Sequence, residues 1–585
     1  MKPKKSANPK RPTASSATAK AGASAWNWRP YAWAAAAIVL VFWAYGPALN
    51  GVWVFDDTVQ KYASPSAQPD FSSWVRTTVR PALMFSYWVN RQIAAEGSTY
   101  TYHVVNVLIH LIAGGLMFFV VRRFLEWSGA EAARRNLLAG FAAGVFLLHP
   151  AMTEAVAYTA GRSESFSTMW TLAAFAVFLY RPKPEVSWST VAGVFLLFGM
   201  ALASKEHTVV LPAVMLLTDY WWNPGFSFKG IRGNWKLYLP MAAGAAGAVA
   251  MAWDLIVKGG GAGFGIGITW YQYLFTEFRA LLVYIREFVF PIGLTADWYF
   301  PISKTIFEHG AIVGLAVLLG LVGTAWYFRR RFPLAAYGFL VYLLLMAPTS
   351  SILPIKDPVA ERRLYFSILG LLLIVVDLLS RMRVNRKKLA LGCAAVVLVC
   401  AIGTHSRAAV WGDNEAFWKD TVQKAPENDR AHFHLGFVWA EQQRWEDAIH
   451  EYEQAAKLAP VGGDLLVDWG IAYLNIGQPE KALAKFQQAT RVDNSAHAWT
   501  QVAEAYAQMK RWQDALDSLA MAQKLDASFP FVYVDRGKVH LTTGQCADAV
   551  QDFKTALKMA PPGDPANDQA RLYLPRAEAC AAGAH

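Results

Sequence analysis

Runs of about 20 apolar residues, separated by short charged breaks, constrain this chain more than any other feature. A helix of about that length is what crosses a bilayer. The candidate spans lie near 31–49, 104–121, 137–157, 165–180, 187–203, 207–222, 237–257, 309–328, 333–353, 359–379 and 389–406. A further stretch, 271–290, carries four charged residues. Because charges are expensive in hydrocarbon, we expect it to be interfacial or re-entrant. The sequence therefore predicts a polytopic helical membrane domain of about eleven spans.

Composition divides the chain into three parts. Of its 585 residues, 55% are hydrophobic and only 17% are charged, whereas soluble domains carry roughly a quarter charged residues. We expect residues 1–30 to be a basic, disordered cytoplasmic tail, 31–406 to be the transmembrane domain and 411–585 to be a soluble domain. Much of the formal net charge of +12 lies in the tail and in short loops, so we do not expect the chain to bind nucleic acid.

Basic residues in alternate loops predict the orientation, because cytoplasmic loops are enriched in Lys and Arg. With eleven spans, the N-terminus is cytoplasmic, and the loop after the first span and the C-terminal domain share the outer side. The long tail before the first apolar run favours an uncleaved anchor over a signal peptide. We therefore expect a multi-pass membrane protein with its C-terminal domain on the outer side, which is the periplasm if the membrane is a bacterial inner membrane.

An internal repeat of 34 residues organises the C-terminal domain. Gly436 and Gly470 are 34 residues apart, and Gly537 matches them in the last unit. The pattern resembles the tetratricopeptide repeat, with four units over about 429–562 and a capping helix at 566–580. The predicted fold class is therefore all-α: a transmembrane helical domain followed by an α-solenoid. Such solenoids usually bind peptides or proteins on their concave face, although a spacer role remains open.

Two cysteines in this domain are also separated by one repeat length. If the capping helix continues the solenoid, Cys546 and Cys580 occupy equivalent positions roughly 10 Å apart. A disulfide needs Cα atoms within about 7 Å, so we expect none between them. Cys393 and Cys400 lie in the last predicted span.

Polar and ionisable residues near membrane depth collect on the predicted outer side. They are Asp56, Asp57, Arg80, His103, Asn106, His110, Glu154, Arg162, Glu164, Lys205, Glu206, Glu361, Arg362 and Arg363. Each alone is explained by a solvated loop, a helix cap or a packed side chain. Several separate clusters on one face of a membrane domain instead indicate a functional site. None has a strong metal-ligand spacing, so we expect no metal.

Carboxylates and cations at the outer membrane surface suit sugar transfer from a lipid phosphate. A carboxylate takes the proton of the acceptor hydroxyl, and Arg or Lys neutralises the departing phosphate. We expect Asp56 or Asp57 to be the general base, with Asp56 favoured. The expected phosphate partners are Arg162, Lys205 and Arg362. The remaining residues are expected to support them, Glu154 and Glu361 by holding the cations, together with Arg80, His103, Asn106, His110, Glu164, Glu206 and Arg363.

The order of the polar motifs resembles that of a known family. The motifs are FDD, RPALMFSYWVN, YHVVNVLIHL, HPAMTEAVAYTAGRSE, SKEHTVVLPAVMLLTDY and ERRLYFSILG, followed by the repeats. This order resembles the transmembrane and tetratricopeptide repeat O-mannosyltransferases of the C-type glycosyltransferase (GT-C) superfamily. The resemblance begins near residue 45 and covers nearly all that follows, although the repeat array is short and the loop 258–308 does not match throughout.

The resemblance implies a specific chemistry. It implies a polyprenyl- or dolichyl-phosphate sugar as donor, inversion at the sugar carbon, a protein acceptor and an acidic motif in the first outer loop, which falls on Asp56 and Asp57. It implies no cofactor besides the lipid-linked donor substrate. The acceptor protein is a candidate ligand of the repeats.

Two other functions remain open. An oligosaccharyltransferase of the O-antigen-ligase type can carry C-terminal repeats, but it uses a large late outer loop, and here the late outer loops are short and the acidic pair comes early. A membrane-anchored scaffold for envelope assembly would tolerate the loss of both Asp56 and Asp57. The sequence leaves the donor sugar, the acceptor and the oligomeric state undetermined.

Overall fold

The computed structural model describes residues 29–64, 70–76, 78–95, 97–245 and 263–583. Over these residues the chain is helical and contains no β-strand. The expectation of an all-α chain with apolar helices followed by repeats is confirmed. Nearly all of the predicted basic tail, and the end of the predicted span near 237–257, lie outside the described residues.

Helices of very different length build the N-terminal domain. Those of ten or more residues are Arg29–Tyr45, Pro81–Ile93, Tyr100–Trp127, Ala132–Leu148, Arg162–Leu179, Trp188–Leu202, Leu211–Trp222, Trp270–Val289, Ala311–Phe328, Pro333–Met346, Leu364–Arg381 and Arg386–Val410, and residues 235–245 are also helical. Short α-helices cover Phe71–Val75, Thr153–Ala157 and Lys229–Gly233. Single 3-10 turns cover Gly46–Ala48, Phe55–Val59, Pro150–Met152, Glu206–Val210, Glu308–Gly310 and Glu361–Arg363.

Five of the described helices are long and apolar enough to cross a membrane. With their flanking turns they are Tyr31–Ala48, Tyr100–Trp127, Glu308–Phe328, Glu361–Arg381 and Arg386–Val410. The helix pair Ala132–Leu148 and Pro150–Ala157, bent by 56°, would be a sixth span. Trp188–Leu202 and Pro333–Met346 are apolar but shorter. The chain thus contains several candidate spans, and the count of eleven stays a prediction.

The stretch predicted to be interfacial forms one continuous helix, Trp270–Val289. It is not among the helices that are apolar enough to cross alone. Two of its charged residues, Glu277 and Glu287, are fully buried. Protein rather than lipid therefore surrounds these carboxylates, which lowers the free-energy cost of placing them within the membrane domain.

Small residues allow the membrane helices to pack closely. A Cβ on Gly338 would lie 2.6 Å from the carbonyl oxygen of Gly370 on the neighbouring helix. The backbones of Pro333–Met346 and Leu364–Arg381 consequently touch, as small-residue contacts permit in membrane proteins.

The C-terminal domain consists of four helical hairpins. The pairs are Asp429–Glu441 with Trp445–Leu458, Gly463–Asn475 with Pro479–Val492, Ala496–Gln508 with Trp512–Leu525, and Pro530–Thr542 with Cys546–Met559. In the first pair, a Cβ on Gly436 would lie 2.7 Å from the ring of Tyr452, so only glycine fits there. The repeated glycine thus marks where an aromatic ring packs between paired helices. The helix Pro565–Ala581 closes the array.

The prediction that Cys546 and Cys580 are not bonded was wrong. The structure joins them in a disulfide, with a Cα–Cα distance of 5.7 Å. Helix length explains the error. The first helix of each repeat has 13 residues, but the capping helix Pro565–Ala581 has 17. Cys580 is therefore still on the capping helix and meets the start of the preceding antiparallel helix, where Cys546 lies.

A short junction joins the two domains. The membrane helix Arg386–Val410 ends three residues before the helix Asn414–Lys424, which we call the junction helix. Arg430 of the first repeat donates to the carboxylate of Asp297 at 2.7 Å. Asn428 donates to the backbone carbonyl of the same residue at 3.2 Å. The first repeat therefore rests on the loop that follows Trp270–Val289.

Candidate functional site

The acidic pair lies in a single 3-10 turn, Phe55–Val59. Asp57 is fully buried. Its Oδ1 accepts hydrogen bonds from the hydroxyl of Tyr62 at 2.6 Å and from the backbone N–H of Ala160 at 2.8 Å. Burial raises the pKa of Asp57 to about 7, because the charged form loses its hydration. Asp57 thus fastens the turn to the segment near Ala160.

Asp56 has the opposite environment. Its side chain is exposed, and in the part of the chain that the structure describes its carboxylate has no hydrogen-bond or ion-pair partner. Its backbone N–H donates to the hydroxyl of Tyr158 at 2.9 Å, which fixes the turn without engaging the carboxylate. The geometry therefore supports the expectation that Asp56, rather than Asp57, is the free base.

Arg162 is enclosed by protein. Its Nε donates to Oδ1 of Asn106 at 2.6 Å, and its Nη2 donates to Oδ1 of Asn90 at 2.7 Å and to the carbonyl of Tyr102 at 3.0 Å. The ring of Tyr87 lies against the guanidinium, 4.4 Å from its carbon. With these donors used and the side chain fully buried, a structural role fits Arg162 better than phosphate binding, and its predicted phosphate contact stays untested.

The polar residues of the helix Tyr100–Trp127 also bind neighbouring backbone. Asn106 donates to the carbonyls of Val156 and Tyr158, each at 3.2 Å. His103 lies 3.2 Å from the carbonyl oxygen of Gly51. His110 lies 2.7 Å from the hydroxyl of Tyr365 and 3.0 Å from the carbonyl of Leu147. All three are buried, so they hold the segments around the site together.

Three cations remain partly exposed, and each is paired with a carboxylate. Arg362 bonds Glu154 through both its guanidinium and its backbone N–H, the latter at 2.7 Å. Lys205 bonds Glu164, and it also lies 3.2 Å from the hydroxyl of Ser163. Arg80 forms a bidentate pair with Glu206, with both distances 2.9 Å.

These cations lie where helices meet loops. Arg80 directly precedes Pro81–Ile93, Lys205 directly precedes the turn Glu206–Val210, and Arg362 lies inside the turn Glu361–Arg363. Burial, together with the nearby charges of Arg80 and Arg362, lowers the pKa of Lys205, so the three ion pairs lie close to one another. The charges of Asp56 and Arg362 both influence the pKa of Tyr158, which burial raises. The acidic turn therefore lies near these ion pairs.

Two residues of the turn Glu361–Arg363 have ionic partners that the sequence did not predict. Glu361 was expected to hold Arg362, but its carboxylate lies 3.8 Å from the guanidinium of Arg407 instead. The side chain of Arg363 is 6% exposed and lies 3.8 Å from Glu277. A charge near the end of the last apolar run was the available signal for Arg407, and a charge within 271–290 was the signal for Glu277.

The arrangement supports proton abstraction beside an anion-binding surface. Asp56 offers an unpaired carboxylate, and Arg362 and Lys205 offer cations whose carboxylate partners, Glu154 and Glu164, are themselves buried. Among the described residues, no group of three or more His, Cys, Asp or Glu side chains is arranged to hold a metal ion. An unpaired carboxylate close to cations suits general-base chemistry beside an anionic group.

Comparison with known proteins gives two kinds of match. Family models described as tetratricopeptide repeat match residues 429–460 and 467–530. A protein O-mannosyl-transferase of Caenorhabditis elegans is 24% identical over 443 residues, which cover 71% of this chain and 61% of that protein. The protein O-mannosyl-transferase TMTC1 of Homo sapiens is 23% identical over 482 residues, covering 71% and 54%. TMTC3 of Mus musculus is 21% identical over 536 residues, covering 82% and 57%.

Solved structures match over shorter lengths. The tetratricopeptide-repeat protein TTC0263 of Thermus thermophilus is 19% identical, covers 32% of this chain and 96% of its own, and has a TM-score of 0.26. MamA is 20% identical, with coverages of 25% and 85% and a TM-score of 0.23. The chain spans little more than half the length of the curated relatives named above. It is similar to the transmembrane and tetratricopeptide repeat protein O-mannosyl-transferases, and it carries tetratricopeptide repeats in its C-terminal domain.

Proposed function

We propose that this protein is a membrane glycosyltransferase that moves a hexose from a polyprenyl-phosphate donor to a hydroxyl group of a protein acceptor. Mannose is the first sugar to test, because the curated relatives are named protein O-mannosyl-transferases. The lipid tail of such a donor stays in the bilayer, which requires an active site at the membrane edge. The site described above lies where the candidate spans meet their loops.

The reaction requires one base and one cationic surface. The acceptor oxygen attacks the anomeric carbon and forms the new C–O bond, while the bond from that carbon to the phosphate oxygen breaks. Asp56 receives the hydroxyl proton, and the lipid phosphate leaves with the bonding electrons. Attack opposite the leaving group inverts the sugar. Arg362 and Lys205 neutralise the charge that develops on the phosphate.

The environment of Asp56 is the observation that carries this proposal. A carboxylate that is exposed and unpaired, on a turn fixed by Asp57 and Tyr158, is free to accept a proton. A general base must lie within hydrogen-bond reach of its proton in the bound complex. A turn fastened on both sides meets that demand better than a mobile loop.

The proposed topology places the site and the repeats on the outer side of the membrane. Basic residues in alternate loops support this orientation. The disulfide between Cys546 and Cys580 supports it as well, since disulfides persist in oxidising compartments. The repeats are then placed to bind the acceptor protein, as such solenoids commonly do.

Transfer by the purified protein tests the proposal. The full chain in lipid nanodiscs is given polyprenyl-phosphate mannose and a hydroxyl-bearing acceptor peptide, and the peptide mass is followed for the gain of one hexose. Asp56→Asn should lower the rate by about 10²–10⁴-fold, the range of general-base contributions. Asp70→Asn is the control, because Asp70 is an exposed carboxylate on the same loop that caps Phe71–Val75. Equal rates in wild type and Asp56→Asn would refute the assignment.

A further inference from the structure

The junction helix, Asn414–Lys424, contacts both turns of the proposed site. One contact reaches the acidic turn through Phe55, and the other reaches the turn Glu361–Arg363 through Arg407. The two turns belong to distant parts of the sequence, and this helix is the first element of the repeat domain.

The contact with the acidic turn is aromatic. The ring centroid of Phe55 lies 5.3 Å from that of Phe417 and 5.1 Å from that of Trp418, both edge-on. Tyr158 covers another side of Phe55, at 6.1 Å. Edge-to-face pairs at such distances are favourable beyond simple burial. The repeat domain therefore supplies two walls of the pocket that holds Phe55.

The backbone of Phe55 shows why this pocket matters. Phe55 has a φ of 47°, a left-handed conformation that is rare for a bulky residue. Such a conformation persists only where surrounding structure imposes it. Asp56 follows directly in the chain, so the direction of its carboxylate depends on the backbone at Phe55. Removing the ring, or its walls, should release the turn that carries the base.

The contact with the other turn is electrostatic. Arg407 donates to Asp420 of the junction helix at 2.6 Å, and its second nitrogen lies 3.8 Å from the carboxylate of Glu361. Arg407 and Glu361 are both buried. Within the described residues, the carboxylate oxygens of Glu361 have no hydrogen-bond partner, and Arg407 is the cation that lies within 4 Å of them. Glu361 directly precedes Arg362, the proposed phosphate partner.

We propose that the junction helix positions the base, Asp56, relative to the phosphate partner, Arg362. It acts on them through two positioning residues that it contacts, Phe55 and Arg407. This inference rests on the transferase function proposed above. It goes beyond capture of the acceptor, because it makes the contact of the repeat domain with the two turns a requirement for the chemical step. A domain that only recruits the acceptor would change KM, whereas a positioning element changes kcat.

The test uses the full chain in nanodiscs with polyprenyl-phosphate mannose. Phe55→Gly removes the ring and accommodates the positive φ, so backbone strain does not contribute, but glycine also makes the backbone more flexible. Trp418→Ala leaves residue 55 unchanged, so it separates the loss of the pocket from that added flexibility. Trp418→Ala removes a wall of the pocket, and Phe55→Tyr keeps the ring. Tyr573→Leu removes a ring of the capping helix and is the control.

Two readouts are measured for every variant. The first is kcat, together with the KM for the acceptor peptide and the KM for the donor. The second is hydrogen–deuterium exchange of residues 50–62, which needs no activity. We expect Phe55→Gly and Trp418→Ala to lower kcat by about 10²-fold, the loss that a misplacement of roughly 1 Å can cause, with both KM values nearly unchanged. Exchange of residues 50–62 should accelerate in both variants. Phe55→Tyr, which keeps the ring, should retain the wild-type kcat and the wild-type exchange.

Asp420→Asn tests the second contact in the same way. It removes the charge that Arg407 meets on the junction helix while keeping the size of the side chain. We expect a lower kcat together with faster exchange of residues 358–364.

Each outcome decides the proposal. Unchanged exchange of residues 50–62 in Phe55→Gly and Trp418→Ala overturns the positioning role, whether or not transfer is observed. Accelerated exchange with wild-type kcat shows that the turn needs the repeats but that the reaction does not, which also overturns it. If wild type transfers no hexose but exchange accelerates as expected, the transferase proposal fails and the mechanical coupling stands.

Discussion

Substitution of Asp57 by asparagine separates the two roles within the acidic pair. Both short hydrogen bonds of Asp57, from Tyr62 and from Ala160, end on the same oxygen, Oδ1. The carbonyl oxygen of an asparagine side chain accepts the same two bonds. The substitution therefore removes a buried charge and keeps these two bonds, although it loses the longer bond from the backbone N–H of Val54 to Oδ2, at 3.4 Å. We expect Asp57→Asn to fold and to retain the acidic turn through the two bonds that remain.

The pKa of Asp57 sets the size and the sign of the effect. Burial raises that pKa from 3.8 to about 7. The folded protein thus binds this proton more tightly than the unfolded chain does, and the contribution of Asp57 to stability is lost as the pH rises from about 4 to about 7. A shift of about 3 units at 1.36 kcal/mol each corresponds to about 4 kcal/mol. Because asparagine does not titrate, Asp57→Asn should gain up to that amount over wild type across this interval.

Hydrogen–deuterium exchange of residues 50–62 measures this difference locally. Wild type and Asp57→Asn are compared between about pH 4 and pH 8, after correction for the intrinsic pH dependence of exchange. The difference in opening free energy should grow with pH and level off above about pH 7. Tyr62→Phe removes a hydrogen bond that lowers the pKa of Asp57, so it should move the midpoint upward. A difference that stays constant over the whole range would show that the carboxylate is hydrated, and would refute this reasoning.

Three further predictions concern the cations and the repeats. Arg362→Ala should lower the rate of hexose transfer by about 10²–10³-fold, as loss of an oxyanion partner does elsewhere, measured in the nanodisc assay. Gly470→Ala should destabilise the repeat domain by about 1–3 kcal/mol in thermal unfolding, because its Cβ would enter the aromatic ring of the paired helix. Cys580→Ser should cost about 4 kcal/mol, the chain-entropy value for a loop of 34 residues, measured by denaturant unfolding of the full chain.

Each of these predictions has a control variant or an outcome that would contradict it. Gly462→Ala places its Cβ where nothing lies within 4 Å. Because Gly462 is the N-cap of its helix, alanine should cost only the small N-cap preference there, and equal effects at Gly462 and Gly470 would contradict the packing argument. Wild-type transfer by a folded Arg362→Ala protein would remove that residue from the site. Equal denaturant midpoints for oxidised wild type and Cys580→Ser would show that the bond adds no stability.

The repeat domain was predictable because its determinants are local. Gly436 and Gly470 recur at one spacing, and each contacts a ring on the next helix of its own hairpin. The site was predictable only as a set of residue types. The choice between Asp56 and Asp57 depends on the N–H of Ala160, which lies 103 residues away in the sequence. No local pattern reports such a contact.

Some partners of the candidate site residues could not be predicted from the sequence, and the physical reason is the same in each case. Arg162 has the residue type that binds phosphate, but Asn90 and Asn106 use its donors in the folded chain. Glu361 stands beside Arg362 in sequence, but in a helical turn adjacent side chains point in different directions, and Arg407 meets it instead. In each case the partner is distant in sequence, so composition and spacing gave no account of it.

The short connection between Arg386–Val410 and the junction helix has a geometric consequence. Three residues separate these helices, and three extended residues span at most about 10 Å. The first helix of the repeat domain therefore stays within about 10 Å of the end of the last candidate span. If the repeats bind an acceptor as proposed above, the short connection would keep the first repeat, and whatever it binds, beside the membrane helices.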